Sequence, residues 1–269
     1  MKNWGIGAKL TASIITLLTL TCAVLGITSY LNSHTALERQ VQDNLQSKAE
    51  DLSQYVEEFF KRTNTEVEGI AEQDVIRKMD FAEQKAYLQK RLASSEDYLE
   101  FAIVDANGIA HYLDDSTTDL ADRAYIKAAF AGETAMSDTL ISRVTNEPVV
   151  MIATPIDTAT GEKALLLARM DGYFLSNVLN EIVVGETGYA FLVNSEGTIQ
   201  SHTNAEYVKT QMNFIAEAQE TGKSTAEAKA IEEVISNDRG FYEFKHSDGD
   251  NRFLGYYSLT NGWKMAVMA

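Results

Sequence analysis

One cysteine, Cys22, and two prolines, Pro148 and Pro155, stand in 269 residues. A lone cysteine excludes an internal disulfide and any cysteine-based metal cluster. So few prolines, with no Ser/Gly-rich run, argue against a flexible interdomain linker. Basic residues are also short: 23 Lys and Arg stand against 39 Asp and Glu, a net charge of −16. Such a surface repels phosphate backbones, and no basic stripe interrupts it, so nucleic acid is excluded as a partner. No HExxH, GxSxG, P-loop or GxGxxG motif occurs, and no pair of carboxylates is marked as an acid–base couple. His111 and His202 lie 91 residues apart at matching places, as inherited strand ends rather than one metal site. His34 and His246 have no ligand-spaced neighbour. The sequence thus points to no enzyme, no cofactor and no metal.

What is present is an uncharged run, Leu10 to Ser33, of 24 residues. At ~1.5 Å per residue it would cross a ~30 Å hydrocarbon core with some tilt. Its Thr and Ser hydroxyls can bond to the preceding helical turn. Lys2 and Lys9 precede it and the first charge beyond is Glu38, so residues 1–9 are expected in the cytoplasm and 34–269 outside it. The run is long for a cleavable signal peptide, and AVLGI continues past Cys22, which argues against a lipoprotein signal. An uncleaved anchor is the expectation.

From Leu37 to Ile70 apolar positions recur over 33 residues in nine steps, with Thr63 among them. The mean of about 3.7 is helical and closer to a straight amphipathic helix than to a coiled coil. A second helical stretch runs from about Phe81 to Ser95. FAIVDANGIAH (101–111) then reads as a β-hairpin around Asn-Gly, and AFLVNSEGTIQSH (190–202) repeats it at a constant offset of 89. Fixed-offset turn chemistry suggests two copies of one module. Each copy closes in an antiparallel meander, the first through VVMIATPID and EKALLLARMD, the second through GFYEFKHS, DNRFLGYYSL and WKMAVMA. Helical segments are expected at Asp122–Ala131 and about Ala205–Asn237, and a helix near Phe174–Val183 should join the copies.

With these elements in order, the chain resembles the double Cache sensor domains of bacterial transmembrane receptors, methyl-accepting chemotaxis proteins in particular. The resemblance rests on DRAYIKAAFAGET, NEPVVMIATPI, ARMDGYFLSNVLNEI, GETGYAFLVNSEGTIQSH and NGWKMAVMA, and covers nearly the whole chain. It implies an α+β fold: a transmembrane helix continuing into a long helix, with two PAS-like antiparallel-sheet modules stacked along it. The implied division is 1–9 cytoplasmic, 10–33 transmembrane, 34–96 helical, 97–173 the membrane-distal module, and 174–269 the joining helix and membrane-proximal module. A second span and a cytoplasmic output domain are implied beyond Ala269, making the chain the sensory part of a longer receptor. A homodimer is implied too.

In that family the distal module holds a small molecule. Arg123 is the expected donor fork for a carboxylate, Tyr125 a wall and hydroxyl donor, and Asp171 an acceptor for an ammonium. Arg123 and Asp171 match the amino-acid-binding members. Tyr125 stands where they carry Trp, Ile126 replaces a second aromatic, and 137–142 reads Ser-Asp-Thr-Leu-Ile-Ser instead of an aromatic and an acid near Pro-Tyr. Asp138 and Thr139 remain as polar contacts. The implied ligand is an amino acid, carboxylate or amine. Structural readings stay open beside these. Arg123 could pair with Asp119, Asp122 or Asp171, Tyr125 could be core, and Asp171 could cap the next helix. The acidic run Asp114, Asp115, Asp119 and Asp122 reads as a solvated loop. Two other output types, a histidine kinase or a diguanylate cyclase, fit the same sensor. So does an anchored protein that binds a partner, such as a periplasmic binding protein, and no small ligand; a closed distal pocket would favour that last reading.

Overall fold

The computed structural model describes residues 6–180, 188–247 and 249–269, apart from the side chains of 6, 8, 9, 12 and 13. The chain divides into two units, residues 1–44 and 45–269. Helix α1 (Ile6–Ala71) is continuous over 66 residues.

In the first unit, the apolar residues are exposed all round: Leu17 at 69%, Leu25 at 62% and Ile27 at 61%. Thr19, Thr21 and Thr28 donate their hydroxyls to the carbonyls of Ile15, Leu17 and Val24 at 2.8–2.9 Å. A helix whose polar atoms are spent internally and whose outside is apolar suits hydrocarbon rather than water. Among the described residues this is the one helix long and apolar enough to cross a membrane, with a mean hydropathy of 2.0 over 18 residues. Cys22 is free and exposed there.

In the second unit, most of the expected stripe is buried, Leu45, Ala49, Val56, Thr63, Val67 and Ile70, while Leu52 and Phe59 are half-buried; its first member, Leu37, belongs to the first unit and is exposed. Thr63 is tolerated in it because its hydroxyl bonds the Phe59 carbonyl at 2.9 Å. Short α2 (Asp74–Arg77) and α3 (Phe81–Ala93) follow, the latter opened by Asp80, whose Oδ1 accepts the amides of Ala82 and Glu83.

The first module holds β1 (Glu100–Val104), β2 (Ile109–Tyr112), β3 (Thr117–Asp119), α4 (Ala124–Phe130), β4 (Ala135–Met136), β5 (Leu140–Ile141), β6 (Pro148–Ile156) and β7 (Ala164–Asp171). Its antiparallel sheet has the order β3-β2-β1-β7-β6-β4, with β5 also on β6. One face, with Phe101, Ile152 and Leu166, buries Val67, Ile70 and Ala71 of α1. The other face packs under Ile126 and Ala129 of α4. Because both faces are covered, β6 and the first five residues of β7 read as near-continuous apolar runs without alternation.

Helix α5 (Phe174–Asn180) leads onward; the rest of the expected joining helix, to Val183, and the opening of GETGYAFLV fall outside the described residues. The second module comprises β8 (Tyr189–Val193), β9 (Ile199–Ser201), α6 (Ala205–Lys209), α7 (Phe214–Thr221), α8 (Ala226–Ser236), β10 (Arg239–Lys245), β11 (Asn251–Ser258) and β12 (Lys264–Met268). Its sheet order is β10-β11-β12-β8-β9. The expected single helical region from 205 to 237 is three helices, because Asn204, Asn213 and Thr225 each restart it as side-chain caps. Against α1 this sheet comes close: a Cβ at Gly255 would lie 2.5 Å from the Leu45 carbonyl carbon.

The repeated turn is the same object twice. Asp105 Oδ1 accepts the amides of Asn107 and Ile109, and Asn194 Oδ1 those of Glu196 and Thr198. Gly108 and Gly197 both take φ +83°, a left-handed conformation that strains other residues.

Candidate functional site

Cross-strand partners in a sheet share a face. The register pairs Glu100 with Arg169, Arg169 with Met151, Asp171 with Val149, and Ala102 with Tyr112. All of these therefore look toward α4. Arg123 is not on that helix, as the sequence led us to expect, but is its extended N-terminal cap residue. Its Nε is buried without a hydrogen-bond partner. Tyr125, two residues later, is 6% exposed, and burial pushes its phenol up to about 12.

Arg123 and Tyr125 do come together. With Tyr112, Leu140, Arg143 and Met151 they line a cavity of about 10 Å³, room for a single water at most. On this face Arg169, only 8% exposed, has two buried nitrogens, Nε and Nη1, without partners. Its guanidinium lies 5.9 Å from the centroid of Tyr112, within cation–π reach. Burial raises the Tyr112 phenol and also the Glu100 carboxyl, despite the nearby Arg169 charge.

Asp171 does not line this cavity; its Oδ1 accepts the amide of Tyr173 at 2.9 Å, ahead of α5. The pairing of Arg123 with a nearby aspartate is not what forms. Asp122 is taken by Arg143, whose Nη1 and Nη2 donate to Oδ1 and Oδ2 at 2.8 and 2.6 Å, holding the Asp122 carboxyl at about 2. The rest of the acidic run is spent within its own loop and on α3. Asp114 binds Ser116, Asp115 pairs with Lys85, and Asp119 accepts from the Ala121 amide.

Asp138 and Thr139, expected as polar contacts of the pocket, sit instead at the joint with the second module. Asp138 accepts from Trp263 Nε1 at 2.7 Å and Asn194 Nδ2 at 2.8 Å. Thr139 donates its amide to Gln200 Oε1 at 2.7 Å, and its carbonyl accepts from Gln211 Nε2 at 2.7 Å. The three-residue link from β4 to β5 swings this pair away from α4, because both strands must return to β6.

Sequence reasoning missed Arg169, Glu100 and Tyr112. One signal existed for Arg169: in ALLLARMD a basic residue interrupts an apolar run, two positions before the terminal Asp171. Among the described residues no group of three His, Cys, Asp or Glu could hold a metal ion.

A family model described as the Cache domain matches residues 33–269. The methyl-accepting chemotaxis protein McpA of Bacillus subtilis (strain 168) is 21% identical over 285 residues, covering 98% of this chain and 39% of McpA. The chain thus spans about two-fifths of that relative's length. In structure, it is similar to the ligand-binding domain of the Pseudomonas fluorescens chemoreceptor CtaA in complex with L-isoleucine. The TM-score is 0.66, at 21% identity over 88% of this chain and 95% of that one. It is also similar to the extracellular domain of rpHK1S-Z16, a protein assigned to the histidine kinases. There the TM-score is 0.65, at 16% identity over 87% and 95% of the two chains.

Proposed function

The chain belongs to the Cache domain family, and from that membership we propose that residues 34–269 are the extracytoplasmic sensor of a transmembrane chemoreceptor. Residues 10–33 are its first span, with 1–9 in the cytoplasm. Residues 97–173 form the membrane-distal module and 174–269 the joining helix and proximal module. The distal module binds a small molecule bearing a carboxylate, and binding shifts the long helix relative to that of a second copy in a homodimer. The chain itself catalyses nothing.

One observation carries the reading: two arginines on one face keep buried N–H groups unpartnered. An orphaned buried donor costs about 1–3 kcal/mol, a cost that an anionic ligand removes. The relatives supply the class: CtaA, of similar fold, is seen with L-isoleucine. An amino acid suits Arg123 and Arg169 at its carboxylate, with Glu100 or Asp171 nearest in kind for an ammonium. The similarity to a histidine kinase domain supports a second output, on the same sensor. The cavity of about 10 Å³ favours a rival reading, a partner-binding protein with no small ligand. The unpartnered guanidinium nitrogens weigh against it.

The test is a thermal-shift screen of the 269-residue chain in nonionic detergent against L-amino acids, short carboxylates, amines and purines. A ligand at 100 times its dissociation constant adds about 2.7 kcal/mol, a shift of several degrees. A hit abolished by Arg123→Ala, in a variant that still unfolds cooperatively, supports the sensor. A blank across the library overturns it in favour of a protein partner.

A further inference from the structure

The second module encloses a cavity of about 400 Å³, the size range of small-molecule sites. It lies between the sheet face of β8 and α6–α8, on a different module from the arginine face. Its walls carry the rings of Tyr189, Phe191, Tyr207, Phe214 and Phe244. Several touch: Tyr207 meets Phe214 edge-on at 5.5 Å, and His202 stands 4.8 Å from Tyr207 and 5.0 Å from Tyr189. Two carboxylates also line it, Glu217 of α7 and Glu227 of α8, and none of its described lining residues is a lysine or arginine. Glu227 is fixed in place, with Oε1 accepting the Ser247 amide at 2.9 Å and lying 3.6 Å from His246 Nε2. The side chain of Glu227 is only 15% exposed.

Aromatic faces present negative quadrupoles, and a partly buried carboxylate beside them adds net charge. A cavity of this make favours a cation with an apolar body over a neutral or anionic molecule of the same shape. The −16 charge of the chain adds long-range attraction of the same sign. We propose that this cavity is a second ligand site, taking an arylalkylammonium-type organic cation, with the rings enclosing its body and Glu227, aided by Glu217, holding its ammonium. The chain would then read two ligands of opposite chemistry, one per module.

Three probes of one shape test this: 2-phenylethylammonium, 2-phenylethanol and phenylacetate, titrated calorimetrically into the 269-residue chain in nonionic detergent at pH 7. The cation is expected to bind roughly tenfold more tightly than the alcohol, with phenylacetate weaker at this site. Glu227→Gln, which keeps an acceptor for the Ser247 amide, should erase the preference of cation over alcohol. Glu217→Gln, at an exposed position, should reduce it without affecting the fold. Arg123→Ala should leave cation binding intact, which separates this site from the carboxylate site of the first module. Absence of binding by the cation, equal binding of the alcohol, or a preference that survives Glu227→Gln in a folded variant would each overturn the proposal.

Discussion

The carboxylate of Asp138 accepts the indole N–H of Trp263 at 2.7 Å across 125 residues of sequence. The same indole stands edge-on to Phe60 of α1, at 5.4 Å and 87°. One aspartate on a strap of the first module therefore holds a ring that belongs to the second module and leans on the long helix. Trp263 is 3% exposed and Asn194 6%, so both donors rely on Asp138. Asp138→Ala is expected to destabilise the second unit by about 1–3 kcal/mol. Asp138→Asn, which keeps one acceptor oxygen, should fall between it and the parent. Chemical denaturation reads both; an alanine variant as stable as the parent would mean that water replaces the carboxylate at no cost.

Arg169 separates a functional from a structural role by the sign of its effect. Two of its guanidinium nitrogens are buried and unpartnered, so the guanidinium weakens the unliganded fold. Arg169→Met keeps the apolar stem in the strand and removes the orphaned donors. Without ligand, this variant should melt a few degrees higher, a gain of about 1 kcal/mol after loss of the Tyr112 contact. Carboxylate binding should be lost at the same time. A lower melting temperature with binding retained would make Arg169 a structural residue.

Arg143 and Val144 line the small cavity, and Arg143 is tied to Asp122 by a two-pronged ion pair. Both side chains are solvent-accessible, at 40% and 62%, so the pair contributes little to overall stability. The pair ties the residue before Arg123 to a wall of the cavity, and if that tie holds the cavity closed, a ligand that needs it open is penalised by the fraction of closed molecules. Asp122→Asn is expected to tighten carboxylate binding severalfold while changing the melting temperature by less than about 2 °C. Weaker binding in calorimetry would mean that the ion pair belongs to the binding-competent state.

Legibility in the sequence followed the range of the interactions. The Asp105 and Asn194 turns close on their own amides within four residues, so an Asn-Gly or Glu-Gly signal suffices to place them. The stripe from Leu45 to Ile70 repeats often enough for its period to show. The strands Ala135–Met136 and Leu140–Ile141 are shorter than any period and exist only because β6 pairs with them. Arg123 and Tyr125 were legible as neighbours two residues apart. Asp138 was misplaced because its partners lie 56 and 125 residues away, and Arg169 was missed because a strand buried on both faces has no alternation to mark its turn inward.

Gly255 sets how closely β11 approaches α1. A Cβ there would stand 2.5 Å from the Leu45 carbonyl carbon and 2.8 Å from the Gln46 nitrogen, both backbone atoms that cannot swing aside. Gly255→Ala should therefore cost about 1–3 kcal/mol through overpacking. Gly132→Ala, where a Cβ meets nothing within 4 Å but φ is +112°, gives the comparison of backbone strain without a clash. A Gly255→Ala chain that melts no lower than the parent would mean that helix and sheet separate freely.

Acid should weaken the second module through His202. Burial holds this imidazole at about 4, below its usual 6.5. Its Nδ1 accepts the Asn204 amide at 2.8 Å, a bond that a protonated ring could not keep there. The ring faces Tyr189 and Tyr207, and the same cavity holds Glu217, Glu227 and His246. Burial raises the Glu227 carboxyl, but its hydrogen bonds from Ser247 more than offset this and hold it below the usual glutamate value. Between pH 6.5 and about 4 the unfolded chain takes up a proton at His202 that the folded chain refuses. Stability therefore rises with pH across that window, is fully present above 6.5, and is lost as pH falls toward 4. The contribution is on the order of 3 kcal/mol. His202→Gln keeps an acceptor for the Asn204 amide but does not titrate, so its stability should be flatter over this window in urea melts at stepped pH. An unchanged slope would place the acid sensitivity on the carboxylates instead.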